Sequence, residues 1–119
     1  VIPSRGAAQI NSDAMKTSAG ALNYIPVTRS ENLKKTLREI KDNGIQVVAC
    51  TEKAADTIFE SNLKDPVAIL MGSEEDGISP EYLKLADSLV KLPVQGKIES
   101  LNVSVACAVS LYEVVRQRQ

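Results

Sequence analysis

Short β-rich apolar runs alternate with amphipathic helical stretches along the whole chain, and this predicts an α/β fold with a mostly parallel sheet flanked by helices. Two further observations support it. Residues 45–50 and 67–71 are apolar runs, interrupted only by Gln46, the composition of strands buried on both faces of a parallel sheet. With 119 residues and 44% hydrophobic content, the chain is large enough for one compact core.

The elements follow in order. Val1, Ile2 and Pro3 read as the end of a strand cut from a longer protein. A short helix is expected over residues 11–19, ended by Gly20, and then a strand over 24–27. Ser30 is the expected N-cap of the next helix, where Leu33, Leu37 and Ile40 share one face and Gly44 marks the end. The strand 45–50 follows, then a turn of helix over 54–59 and the strand 67–71. Ser79, Pro80 and Glu81 form a helix start: a capping serine, a proline pre-set for the first turn and an acid near the positive end of the dipole. That helix is expected to reach Ala86. Residues 88–92 read as the last strand and 101–116 as a long helix. Val103, Val105, Ala106, Ala108, Val109, Leu111, Val114 and Val115 cover most of its circumference, which calls for packing on more than one side.

Composition excludes several kinds of chemistry. The chain has no histidine, which removes the commonest metal ligand and neutral-pH base and closes Ser-His-Asp, Cys-His and zinc-hydrolase readings. Cys50 and Cys107 have no CxxC spacing and suggest neither a disulfide nor a metal. No signal segment precedes the first elements and no apolar stretch reaches the ~20 residues of a membrane span, so the cytoplasm is the expected compartment. A net charge of -1 neither advertises nor excludes nucleic acid. Arg29, Lys34, Lys35, Arg38 and Lys41 form a basic cluster that could meet phosphate or simply be a solvated helix face.

Two loops break the alternation, each at the carboxyl end of an expected strand, where open α/β sheets bind ligands. In the first, MGSEEDGIS, Gly72 and Gly77 permit positive φ or close backbone approach, and Glu74, Glu75 and Asp76 crowd three carboxylates into one turn. The same residues also fit an ordinary acidic turn. In the second, LPVQGKIESLNVS, Pro93 ends the strand, Gly96 turns the chain, and Ser100, Asn102 and Ser104 bring small hydrogen-bonding groups to the entry of the last helix. Capping that helix would account for one of these three.

Taken together, LMGSEEDGIS and KLPVQGKIESLNVSVACAVSLYE resemble the second and third motifs of the SpoU family, within the SPOUT superfamily of knotted RNA methyltransferases. TSAGALNYIPV resembles the segment that links that family's motifs, so the likeness covers essentially the whole chain. The resemblance implies a pocket for S-adenosylmethionine (AdoMet) at Met71, Gly72, Gly77, Leu92 and Leu101. Gly72 would approach the cofactor, and Leu92 and Leu101 would frame its adenine. It also implies that Glu74, Asn102 and Ser104 belong to the active-site constellation, orienting a ribose 2′-hydroxyl of ribosomal or transfer RNA for methyl transfer.

Further implications concern architecture. The family threads its C-terminal segment, here from about Leu92 onward, through a preceding loop to form a deep trefoil knot. It homodimerises beside the active site, which suits a final helix that is apolar on two sides. Its first motif supplies an Asn and an Arg, for which this chain holds no candidate, since Arg5 falls too late. Residues 1–119 are therefore read as the C-terminal portion of a SpoU-type methyltransferase domain, with the first strand and first motif upstream. Two alternatives stand beside this. One is a knotted AdoMet-binding or RNA-binding module without activity. The other is an ordinary nucleotide-binding domain, which would need a Gly-rich phosphate loop that the chain lacks.

Overall fold

A computed structural model describes residues 1–98 and 100–119; Glu99, in the second loop, lies outside the described residues. The chain divides into two compact units, Val1–Thr36 and Leu37–Gln119.

In the first unit, strand β1 (Ile2–Pro3) pairs in parallel with β2 (Arg29–Ser30), Ile2 lying opposite Arg29. Helix α1 (Ser12–Thr17) begins at Asn11, whose Oδ1 accepts from the Ala14 N–H at 3.0 Å. It ends in a Schellman turn: the Ala19 N–H donates to Lys16 O at 2.9 Å and the Gly20 N–H to Met15 O at 3.1 Å. Ala19 holds the left-handed position of that turn, at φ 54. The strand expected over 24–27 does not form. Ala21–Tyr24 make a 3₁₀ turn instead, and pairing waits until Arg29. Pro26 explains this, since it offers no N–H to a ladder and holds the preceding Ile25 extended at φ -116, ψ 122.

The boundary between the units falls within helix α2 (Leu33–Asp42). Asn32, not Ser30, caps it, with its Oδ1 accepting from the Lys35 N–H at 3.1 Å. Ser30 belongs to β2; its Oγ accepts from the Asn32 N–H and shares a 2.7 Å hydrogen bond with Thr36 Oγ1. Leu37 is the buried residue of the apolar face, with Leu33 and Ile40 half-buried beside it in sequence. A second Schellman turn closes the helix, here with Gly44 in the left-handed position at φ 78.

The second unit is built on a parallel three-stranded sheet of β3 (Gln46–Cys50), β4 (Val67–Leu70) and β5 (Ser88–Val90), in the order β4-β3-β5. Central β3 carries Val47, Val48 and Ala49, all fully buried, as its unbroken apolar run requires. β5 is shorter than expected because Val90 pairs with Cys50, the last residue of β3. Lys91 has no further partner there and turns to the 54–60 segment, accepting from Ile58 N–H and donating to Asp56 O at 2.9 Å. That segment ends in a 3₁₀ turn, Ile58–Glu60, in place of the α-turn expected over 54–59.

Helix α3 (Pro80–Leu83) stops short of Ala86. Asp87 draws the chain back to the sheet, its Oδ2 accepting from Val47 N–H at 2.7 Å and its own N–H donating to Val47 O at 2.8 Å. Helix α4 (Val103–Gln117) buries Ala106, Ser110, Glu113 and Val114, a stripe at helical spacing. Val114 joins Val48, Ile58, Leu63 and Val90 in the core, with Val67, Ile69 and Leu92 packed against it. At the far end of α4, the Gln117 side chain accepts from Leu63 N–H at 2.7 Å and donates to Ser61 O at 2.9 Å. Val105, Val109, Leu111, Tyr112 and Val115, on the rest of its surface, stay exposed among the described residues.

Candidate functional site

The sheet order determines where a site can form. From β3 the chain crosses to one side for β4, then over β3 to the other side for β5, so the loops leaving the three carboxyl ends converge. A cavity of about 340 Å³ opens among them. Its walls are Cys50, Thr51 and Glu52 after β3, the loop from Met71 to Ile78 after β4, and the segment after β5 that leads into α4.

The loop after β4 is a tight hairpin. Ser73 and Gly77 exchange backbone hydrogen bonds at 3.2 and 3.0 Å, Ser73 Oγ accepts from the Asp76 N–H at 3.0 Å, and Gly77 turns the chain at φ 68. Gly72 is required by this closure. A Cβ there would stand 2.3 Å from Gly77 C and 2.6 Å from Ile78 N. Gly72 thus lies close against the loop's own returning backbone.

The loop after β5 ends on Asn102, which caps α4. Its Oδ1 accepts from the Ser104 N–H at 2.9 Å, the Val105 N–H at 3.4 Å and the Ser104 hydroxyl at 2.5 Å. With three donors on the oxygen, the amide nitrogen must face away from the helix. It donates to Glu74 Oε1 at 2.7 Å, and the same oxygen takes the Val103 N–H at 3.3 Å. One carboxylate thereby ties the β4 loop to the N-terminus of α4, where a negative charge is favoured.

The structure brings Glu74, Asn102 and Ser104 into one hydrogen-bonded chain. Met71, Gly72, Gly77, Leu92, Leu101, Glu74 and Asn102 all line the cavity, and Ser104 stands just outside it. Sequence reasoning missed the third wall, Cys50, Thr51 and Glu52, although the strand-end rule applies to every parallel strand and would have included it. Burial pushes the Cys50 thiol up, against a hydrogen bond from Ser110 and with smaller contributions from Cys107 and Glu52.

The lining is chemically selective. Ile78, Leu92, Val94, Leu101 and Ala106 give apolar surface, Glu52, Glu74, Glu75 and Asp76 are acidic, and among the described residues no Lys or Arg takes part. Such a wall repels phosphate and suits a ligand with an apolar body and a positive centre. Among the described residues no group of three or more His, Cys, Asp or Glu could hold a metal, and no helix is long and apolar enough to cross a membrane.

A parallel sheet with a cavity at its strand ends, at the point where the strand order reverses, is the architecture of a ligand-binding α/β domain. Within that class, residues 1–112 match the SpoU rRNA Methylase family, and the chain belongs to it. It is 40% identical over 119 residues to the 23S rRNA (guanosine-2′-O-)-methyltransferase RlmB of Photobacterium profundum, covering 100% of this chain and 49% of that protein. The crystal structure of the TrmH/SpoU tRNA modifying enzyme of A. aeolicus superposes with a TM-score of 0.85 at 33% identity, over 98% of this chain and 59% of that one. The SpoU methyltransferase AviRb of Streptomyces viridochromogenes, in complex with AdoMet, superposes with a TM-score of 0.88 at 27% identity, over 98% and 49%. The chain thus spans about half the length of the curated relatives it matches.

Proposed function

We propose that this chain is the cofactor-binding portion of an AdoMet-dependent RNA methyltransferase acting on a ribose 2′-hydroxyl of ribosomal or transfer RNA. The observation that carries the reading is the Glu74–Asn102 hydrogen bond, which closes two loops around a cavity whose described lining is apolar and anionic and holds no cation. That lining fits AdoMet, with its adenosine and sulfonium, and disfavours the phosphates of an ordinary nucleotide. Met71, Gly72, Gly77, Leu92 and Leu101 would hold the cofactor, which supplies an electrophilic methyl group when bound.

The chain's own residues supply positioning. Glu74, Asn102 and Ser104 form a rigid polar edge, since each is tied to the next and Asn102 is anchored in the helix cap. A preorganised edge orients the ribose without having to rearrange during the reaction. Ser104 donates its proton to Asn102, which leaves its oxygen lone pairs available as acceptors.

In this reading residues 1–119 are the C-terminal portion of the domain, and the first strand and first motif, with its Asn and Arg, lie upstream. The relatives' greater length supports this. The segment from about Leu92 onward threads a preceding loop as a deep trefoil knot, supported by the close superposition on family members. The exposed face of α4 around Val109 and Tyr112 would pair with a second copy, and the protein would work in the cytoplasm beside its RNA. A Val109→Glu variant should then sediment as a monomer.

The direct test incubates the protein, with its upstream segment, with methyl-labelled AdoMet and ribosomal or transfer RNA. Label in a 2′-O-methylnucleotide is the expected result. Tight AdoMet binding without transfer to any RNA would favour a binding module without activity.

A further inference from the structure

Helix α4 is tethered at both ends to the two segments that flank β4. Its N-cap, Asn102, meets Glu74 in the loop after β4, and its last residue, Gln117, grips the segment before β4. The Gln117 oxygen accepts from the Leu63 N–H at 2.7 Å and its nitrogen donates to Ser61 O at 2.9 Å, the pattern by which one residue pairs in a parallel ladder. The same nitrogen donates to Glu113 Oε1 at 3.0 Å, and Glu113 is buried and held in turn by Arg116. A flipped amide would set donor against donor at Leu63 and oxygen against two acceptors, so the side chain has one orientation. Arg118 adds bonds to Leu63 O at 3.3 Å and Asp65 O at 2.9 Å. The gripped segment is itself anchored, because Leu63 is fully buried in the core.

Packing alone does not fix where the other end of the helix lies. In its N-terminal half the buried residues are Ala106 and Ser110, too small to interlock with the sheet, and the Ser110 hydroxyl donates to Ala106 O of its own helix at 2.8 Å. The large apolar residue that α4 gives to the core, Val114, sits within one turn of Gln117. An α-helix is stiff along its axis, so the grip at the C-terminal end sets the position of Asn102 about 22 Å away.

We propose that Gln117 is a positioning residue for the cofactor cavity: it fixes α4 along its axis, so that Asn102 arrives where Glu74 meets it and the loops around the cavity stay joined. The inference rests on the cofactor reading above. Gln117 does not line the cavity, and its effect is carried by the helix.

A double-mutant cycle tests this in the protein with its upstream segment, using wild type, Gln117→Met, Asn102→Ala and the double variant. Methionine keeps the length and helical preference of glutamine and removes the grip on Ser61 and Leu63. Calorimetry with AdoMet should show Gln117→Met weakening binding about fivefold in the wild-type background. Beside Asn102→Ala the same change should cost less than about twofold, since the junction it serves is then already open. A residue that only stabilises the fold would act equally in both backgrounds. Without ligand, hydrogen exchange at the Ser104 and Val105 N–H groups, at the far end of α4, should quicken about fivefold in Gln117→Met. Gln117→Asn keeps the amide but is one methylene shorter; it should show smaller shifts of the same kind and replaces Gln117→Met if that variant does not fold. Equal weakening in both backgrounds, no weakening in either, or faster exchange confined to Leu63 and the last turn of α4 overturns the role of Gln117. Wild type that binds no AdoMet overturns the cofactor reading, and with it the purpose assigned to Gln117, whatever the exchange shows.

Discussion

The side-chain amide of Asn102 donates to Glu74 Oε1 at 2.7 Å, joining two loops that are 28 residues apart in the chain. Asn102 serves both partners at once: its oxygen caps α4 and its nitrogen holds Glu74. Asn102→Asp separates the two roles. The remaining oxygens still cap the helix, but a second carboxylate now faces Glu74 and the two like charges repel in place of the hydrogen bond. The variant should stay folded at neutral pH and lose most of its AdoMet affinity, as read by calorimetry. Asn102→Ala should also lose the cap, at a cost of about 1 kcal/mol in thermal unfolding. Undiminished binding by Asn102→Asp would show that the junction does not shape the cavity.

Gly72→Ala places a methyl group 2.3 Å from Gly77 C, against backbone that cannot move without opening the hairpin. The expected outcome is loss of cofactor binding together with faster proteolysis within residues 72–78, while the sheet stays intact by circular dichroism. Gly77→Ala meets no atom within 4 Å but must hold φ 68, and should cost only about 1–2 kcal/mol. If both variants behave alike, the collision is not the reason for Gly72.

Ala19 occupies the left-handed turn position that Gly44 fills at the end of α2. Ala19→Gly removes the Cβ strain and should stabilise α1 by about 1 kcal/mol, the entropy of glycine offsetting part of the gain. Slower hydrogen exchange at Ser18 and Gly20 would register it; faster exchange there would refute it.

Glu113 is buried on α4, and hydrogen bonds from Arg116 and then Gln117 hold its carboxyl at about 2, below the ordinary 4.5. A depressed folded value contributes stability that is fully present above about pH 4.5 and is lost as pH falls through about 2. Glu113→Gln should therefore be less stable than wild type at pH 7, and the gap should narrow across that window. Parallel stability curves down to pH 2 would show that Glu113 is not the group involved.

Much of this was legible locally. The apolar run at 45–50 read as a strand buried on both faces and Gly44 as a helix end, because side-chain period and φ are set by neighbours in the chain. The boundaries that moved were those set at longer range. β5 ends at Val90 because β3 offers no partner beyond Cys50, and α3 ends early because Asp87 is claimed by Val47.

The sequence by itself determined the α/β alternation, the two glycine-bearing loops and the absence of histidine chemistry, all of which follow from residue type and spacing. It marked Glu74, Asn102 and Ser104 through a family likeness, without saying how they meet. Only the tertiary structure decided that Gly72 yields to its own loop, that Glu74 joins the cap of α4, and that Glu52 completes the wall. The reason is the sheet order: placing β3 between β4 and β5 brings together three loops that are far apart in sequence, and no local pattern encodes that order.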